Sequence, residues 1–207
     1  KSAACIGNTF KLNTLSTVRK QDIGVIADLL DEAINEGYVF YKNVNQIHWV
    51  REGMDVEFQF SHDRVQQALY SLIPDEEKQQ THYEIGKLLY ASLQPAQAEE
   101  QIFQLVFHLN FGIDIITDAA SKLWLAQLNL KAGKEAKKII AYESAYVYLS
   151  IASKLCGEQI WRTEPDFALK LGSELLDSTY LSNRFEEAEK YFIDLIEHIN
   201  DPVKKAE

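Results

Sequence analysis

Cysteine, basic residues and long apolar runs are scarce in this sequence, and each shortage excludes a class of protein. Its 207 residues include two cysteines, Cys5 and Cys156, without Cys-x-x-Cys spacing. A disulfide framework and a zinc-finger site are therefore not expected. No apolar segment approaches the ~20 residues of a membrane helix, and no segment resembles a signal peptide. We expect a cytoplasmic globular protein with no membrane partner and no metal.

The balance of charges is acidic. There are 21 Lys and Arg against 31 Asp and Glu, which gives a formal net charge of −10. Such a surface repels the phosphates of nucleic acids and of anionic lipids, and we therefore expect no nucleic-acid partner. The sequence begins at Lys1 rather than at a methionine, and we expect it to be a segment of a longer chain.

Motifs that would indicate catalysis or metal binding are missing. The sequence has no G-x-S-x-G, no glycine-rich phosphate loop, no H-E-x-x-H and no Cys/His pairing. We interpret the histidines outside the segment discussed below, which are His48, His82, His108 and His198, as structural or surface residues. The sequence predicts neither a catalytic residue nor a metal ligand, and we expect this segment not to be an enzyme.

Residues 1–73 combine short helical patterns with short alternating runs. The predicted elements are helices over 12–18 and 22–36, strands over 38–41, 46–50 and 56–60, and a helix over 65–73. Asp22 is placed to cap the second helix, and Gly37 suits the position just after its end. Helix, helix, small β-ribbon and helix is the order of a winged-helix domain, which we predict for 1–73.

After Pro74 only helical patterns remain. The predicted helices cover 75–93, 99–110, 118–133, 141–155, 166–182 and 184–199. Breaks at Pro95, Gly112 and Gly133 separate several of them. The predicted fold class is therefore mainly α, with an array of α-hairpins over 74–207.

An internal repeat supports the array. When 142–149 is aligned with 185–192, aromatic or Leu positions and one alanine coincide: Tyr142 with Phe185, Ala145 with Ala188, and Leu149 with Phe192. This order resembles the second helix of a tetratricopeptide (TPR) repeat, and Gly133 falls where the first helix of such a repeat would carry its glycine. The spacing exceeds the ~34 residues of that family, and its Trp-Leu-Gly signature is incomplete. A small alanine lets two helices approach and share a core, so we predict a TPR-like domain over 74–207.

The segment Ser61-His62-Asp63 lies where the last strand gives way to a helix. Ser61 or Asp63 can cap that helix, and Asp63 with Gln66 has capping-box spacing. A helix amino end also attracts phosphate, so His62 could donate a hydrogen bond to a phosphate oxygen and Arg64 could add charge. On these residues alone, the favoured interpretation is a capped helix beside an incidental surface histidine, and phosphate binding is the alternative.

Four segments resemble one family of large bacterial signalling proteins. They are "AACIGNTFKLNTL" (3–15), "FQFSHDRVQQALYSLIP" (58–74), "THYEIGKLL" (81–89) and "AQLNLKAGKEAKKIIAYESAYVYL" (126–149). That family joins a serine/threonine kinase, a P-loop ATPase of the STAND class, a helical repeat region, often a GAF sensor, and a histidine kinase. The resemblance spans most of 1–155, departs at 38–57 and weakens after 156.

The resemblance implies a role for the strand-to-helix segment. STAND ATPases place a winged helix after the nucleotide-binding core, and a histidine of its "MHD"-type motif contacts the β-phosphate of ADP. Carried over, His62 would be that histidine and Asp63 its structural partner, while Ser61 replaces the usual hydrophobic residue. With Arg64, these two residues are the predicted nucleotide-sensing site.

The predicted function is that of a non-catalytic regulatory segment. It would couple the nucleotide state of an upstream P-loop ATPase, which would hold ADP or ATP, to the kinase modules of the same chain. The first alternative is a scaffold whose helical region binds a peptide or partner. The aromatic residues that could line such a face, which we interpret mainly as core, are Trp124, Tyr142, Tyr146, Tyr148 and Trp161. A fragment of a STAND-type transcriptional activator is the second alternative, and the acidic helix 22–36 argues against its binding DNA.

Overall fold

The structure is a computed structural model that describes residues 1–42, 56–93 and 100–200. The chain forms two compact units, one made of residues 1–98 and 107–115 and the other of 99–106 and 116–207. These boundaries are not the ones we predicted, and the division into a domain of 1–73 and a domain of 74–207 stays a prediction.

The first unit combines helices with a small sheet. Its elements up to residue 92 are α1 (Ala3–Ile6), β1 (Thr9–Lys11), α2 (Leu12–Arg19), α3 (Ile23–Asn35), β2 (Val39–Tyr41), β3 (Glu57–Phe60), α4 (Asp63–Ser71) and α5 (Asp75–Ser92). The predicted strand over 46–50 lies outside the described residues. Strand β1 was not predicted, because its three residues carry too short a pattern to be read as a strand.

The sheet has the order β1-β3-β2, and both pairings are antiparallel. Phe10 of β1 and Tyr41 of β2 both pair with Phe58 of β3, so the three side chains share one face. Phe10 and Phe58 stack with ring centroids 5.7 Å apart. This face, together with buried residues of α2 and α3 such as Leu12 and Ile26, forms the core of the unit.

Both predicted ends of α3 are confirmed. The Asp22 carboxylate accepts a 2.8 Å hydrogen bond from the amide of Gly24, as expected of a capping side chain. Gly37 has a φ of 76°, and the amides of Gly37 and Tyr38 donate to the carbonyls of Ile34 and Ala33. This is the Schellman arrangement, in which a left-handed residue satisfies the last carbonyls of the helix.

Helix α5 belongs to the first unit because it packs on the short amino-terminal helices. Ile85 of α5 shares a buried cluster with Cys5, Val18 and Ile73. On another face, Gly86 faces Leu109, and a Cβ at Gly86 would lie 2.6 Å from the Leu109 side chain. Because Gly86 has no side chain, α5 can approach the helix that carries Leu109 this closely.

The remaining elements are helical. They are α6 (Ile102–Phe111), a 3-10 turn (Ile113–Ile115), α7 (Ala119–Lys138), α8 (Tyr142–Cys156), α9 (Ile160–Thr163), α10 (Pro165–Leu181) and α11 (Phe185–Asn200). In the second unit, α7, α8 and α10 share a core that includes Ala126, Leu149 and Leu175. The described residues are thus mainly helical with a small three-stranded antiparallel sheet.

Two expectations in the helical region need correction. Gly133 does not end a helix: α7 continues to Lys138, and Gly133 is buried where a Cβ would lie 2.5 Å from Leu149 Cγ. In the aligned repeat, Ala145, Leu149 and Ala188 are buried, whereas Phe192 is 53% exposed. The repeat therefore predicts the buried alanines correctly, but the position shared by Leu149 and Phe192 is buried in only one of the two helices.

Candidate functional site

His62 occupies the residue just before α4. Its backbone is extended, with φ −150° and ψ 149°, and its side chain makes no capping hydrogen bond to the helix. Its carbonyl accepts from the amides of Val65 and Gln66 at 2.9 and 3.3 Å. The imidazole is exposed, so the ring can reach a group outside the described chain.

The backbone around His62 is held by neighbouring elements. The amide of Phe60 donates to the carbonyl of Asn8 at 3.0 Å, and the amide of Ser61 donates to the carbonyl of Tyr38 at 2.9 Å. The Gln66 side chain donates from Nε2 to the carbonyl of Ala4 at 2.8 Å. The exposed histidine therefore stands on a segment that is fixed to α1 and to the residues just before β1 and β2.

The predicted capping box is wrong. Asp63 is the first residue of α4 rather than its cap, and Gln66 reaches α1 instead of folding back on the start of the helix. Asp63 still lies in the first turn, where a carboxylate interacts favourably with the helix dipole. Asp63 and Arg64 are exposed like His62, and the nucleotide-sensing role of these three residues stays a prediction.

A pair of buried histidines was missed by the sequence analysis. His82 of α5 and His108 of α6 are 2% and 3% exposed, and their Nδ1 atoms lie 2.9 Å apart, at hydrogen-bonding distance. The Tyr70 hydroxyl lies 3.1 Å from His82 Nε2, and the Phe111 ring stacks on His82 at 4.3 Å. The sequence predicts only that these histidines are structural or surface residues, because their pairing leaves no signal in the local sequence.

The chemistry of this pair is that of a neutral hydrogen-bonded network. Burial lowers the pKa of His82 to about 4, and burial together with the neighbouring His82 lowers the pKa of His108 to about 4. A hydrogen bond between two Nδ1 atoms requires one ring to donate and the other to accept. Protonation of the accepting ring would place two Nδ1–H donors face to face, so the hydrogen bond between the rings requires that ring to stay neutral.

The two cysteines are buried or half-buried, and neither is an activated thiol. Both cysteines are free thiols, and burial raises the pKa of Cys5 and of Cys156 to about 11. Thiols with such a raised pKa are poor nucleophiles at neutral pH. In the part of the chain that the structure describes, no group of three or more His, Cys, Asp or Glu could hold a metal ion.

The remaining sequence expectations can be placed on the structure. The acidic side chains of α3, which are Asp28, Asp31 and Glu32, are exposed, and the absence of a nucleic-acid partner stays a prediction. The aromatic residues Trp124, Tyr142, Tyr146, Tyr148 and Trp161 are all half-buried. Among the described helices, none is long and apolar enough to cross a membrane.

Comparison with known proteins gives a coarse result. The chain is similar to hybrid signal transduction histidine kinase G of Dictyostelium discoideum, with 25% identity over 233 aligned residues. The alignment covers 89% of this chain but 7% of that protein, so the chain spans a small part of this relative. No family model and no solved structure matches the chain. The similarity links the chain to signal-transduction histidine kinases, while a bacterial source and a STAND relationship stay predictions.

Proposed function

We propose that this chain is a non-catalytic regulatory segment of a multidomain signal-transduction kinase. A winged-helix unit followed by TPR-like helices would couple the nucleotide state of an ATPase module to the kinase modules of the same protein. The observation that carries this proposal is the similarity to a hybrid signal transduction histidine kinase, because it extends along 89% of the chain.

The order of elements in the first unit supports the winged-helix part of the proposal. Two helices follow β1, and the ribbon strands β2 and β3 come after them. The last strand lies between the first two in the sheet, as in winged-helix domains. In this arrangement β3 runs directly into the segment that presents His62, so the sheet fixes where the imidazole stands.

The exposed His62 supports the nucleotide-linked mechanism. ADP held by the ATPase module would present its β-phosphate to the imidazole beside the amino end of α4, where the dipole favours negative charge. That contact favours a closed form, and exchange to ATP, which removes it, releases the helical region. The regulatory step thus requires only that ATP replace ADP at the ATPase module, which removes the contact with the His62 imidazole.

Release of ADP from the intact protein tests this mechanism. Loss of a hydrogen bond to a charged group costs about 1.5–3 kcal/mol, so His62→Ala should release a fluorescent ADP analogue about tenfold faster or more. Gln67→Ala is the matched control, because Gln67 is exposed on the same helix and is not expected to meet the phosphate. Equal release rates for the two variants would remove the nucleotide-sensing role from His62.

A protein-interaction scaffold is the second candidate function. The turn between α7 and α8 exposes Ile139 by 67% and Ile140 by 72%, and Ile140 has a φ of 64°, which is costly for a β-branched residue. An exposed apolar pair on a strained turn favours contact with another protein. Under this alternative, Ile139→Ser with Ile140→Ser changes kinase regulation in the intact protein, while ADP release stays the same.

A further inference from the structure

A cavity of about 400 Å³ opens in the second unit. Its walls come from the end of α8, from α9, and from parts of α10 and α11. Volumes of this order are typical of sites for small organic molecules. His62, His82 and His108 take no part in it, so the cavity is independent of the proposed nucleotide-linked role.

The floor of the cavity is apolar and well packed. Leu171, Leu175 and Leu195 line it and are each less than 9% exposed. Gly172 closes the seam between α10 and α11, since a Cβ there would lie 2.8 Å from the Leu195 side chain. The floor therefore offers a dry surface to the apolar body of a ligand.

An aromatic pair forms one wall. The rings of Trp161 and His198 stack at 4.2 Å with an interplanar angle of 20°. His198 Nδ1 lies 2.8 Å from the backbone carbonyl of Asp194. A carbonyl oxygen can only accept, so Nδ1 carries the proton and the imidazole is fixed in one orientation. The wall is thus organised before any ligand arrives, which lowers the entropic cost of binding.

Acidic side chains dominate the charge of the cavity, and the one basic side chain among its described lining residues is His198, whose Nδ1 lies 3.4 Å from Asp194 Oδ1. Glu158, Asp194 and Glu197 line it and are exposed at its mouth, and among the described residues that line it there is no Lys or Arg. Trp161 and Tyr191 add aromatic rings, whose faces attract cations. Carboxylates at the mouth and aromatic rings on the wall favour a positively charged ligand and disfavour an anion.

We propose that this cavity binds a small organic cation, a protonated amine or guanidinium carried on an apolar or aromatic body. The body lies on Leu171 and Leu175 beside Trp161, and the cationic group points to the carboxylates of Asp194 and Glu197. The combined chemistry distinguishes the ligand from metal ions, which need more converging oxygen donors, and from neutral apolar molecules, which do not use the carboxylates.

A titration of the whole chain with two matched probes tests the proposal. Phenethylammonium and phenylacetate share an aromatic body and differ in the sign of their charge. The indole N–H resonance of Trp161, assigned with Trp161→Phe, should shift saturably with the cation and respond weakly to the anion. The resonance of Trp124, which does not line the cavity, should stay in place. Added salt should weaken binding of the cation.

Two pairs of substitutions distinguish the effect of the cavity carboxylates on binding from the effect of the overall negative charge of α11. Asp194→Asn with Glu197→Gln should raise the Kd for phenethylammonium by about two- to fivefold for each carboxylate removed. Glu186→Gln with Glu189→Gln removes the same charge from exposed positions of the same helix outside the cavity, and should leave the Kd unchanged. Circular dichroism melts verify that both variants stay folded.

Three results would overturn the proposal. They are equal affinity for the cation and the anion, the absence of a saturable Trp161 shift at millimolar phenethylammonium, and equal effects of the two double substitutions. A fourth result, tighter binding of Nα-acetyl-lysine amide than of phenethylammonium, would mean that the cation belongs to a protein side chain rather than to a small molecule.

Discussion

Acid should destabilise this protein through the buried pair His82 and His108. In the folded chain burial holds the pKa of each ring at about 4, whereas an unfolded histidine titrates near 6.5. Below pH 6.5 the unfolded chain therefore binds more protons than the folded chain, and the free energy of unfolding decreases as the pH falls. The penalty for keeping the two rings unprotonated is absent above pH 6.5, and it grows as the pH falls to about 4.

The size of the effect follows from the width of that window. Each pH unit changes the free energy of unfolding by about 1.4 kcal/mol for one proton. Lowering the pH from 7 to 4.5 should thus cost about 2.5 kcal/mol if a single histidine of the pair resists protonation, and up to about twice that if both do.

Urea denaturation followed by circular dichroism at several pH values measures this loss. The matched variant is His82→Leu with His108→Leu, in which both members of the hydrogen bond become apolar together, so that no buried polar partner is left between them. Hydrogen exchange of α5 peptides places the loss in the first unit. Carboxylates titrate in the same range in both proteins, so the difference between the two pH profiles isolates the histidines.

One outcome would refute the reasoning. If the wild-type protein and the double variant lose the same free energy of unfolding between pH 7 and 4.5, the histidines do not resist protonation in the folded chain. The network would then contribute packing but no linkage to pH.

Three further predictions concern the two units separately. Gly133→Ala should lower the free energy of unfolding by about 1–3 kcal/mol, because its Cβ would lie 2.5 Å from Leu149 Cγ; a thermal melt that matches wild type would contradict the close packing of α7 on α8. Asp22→Ala should cost about 1 kcal/mol through loss of the α3 cap, while Asp22→Asn should retain most of the stability; equal losses in urea denaturation would mean that the cap is not the cause. The chain should not retard duplex DNA in a mobility-shift assay at physiological salt, because the exposed face of α3 is acidic, and retardation that disappears at higher salt would count against this.

The sequence predicted the elements whose signal is local. The end signals of α3 are confirmed because a capping aspartate and a left-handed glycine act within a few residues of the helix they delimit. Strands β2 and β3 were predicted from short apolar runs. Strand β1 was not, because Thr9–Lys11 becomes a strand only through its pairing with β3, far along the chain.

Errors arose where one residue type serves two purposes. The sequence predicts a helix break at Gly133, since glycine often follows a helix end, but in the structure Gly133 lets the Leu149 side chain pack against the surface of α7. Asp63 and Gln66 have capping-box spacing, yet Gln66 bonds to Ala4 because α1 packs beside α4. Spacing alone could not distinguish these uses, which depend on a neighbouring helix.

The candidate site was predicted unevenly for the same reason. The exposure of His62 at the start of α4 follows from the strand-to-helix switch, which the sequence displays directly. His82 and His108 come together only because Gly86 lets α5 approach α6 near Leu109. The cavity beside Trp161 depends on four separate helices, and no short motif encodes such a convergence.

The contact between Gly133 and Leu149 has a consequence for tracing the ancestry of this chain. A larger residue at position 133 fits only if a smaller residue replaces Leu149, so substitutions at the two positions should occur together. In distant homologues whose overall sequence identity is near that of unrelated proteins, such paired substitutions should still identify the packing of α7 on α8.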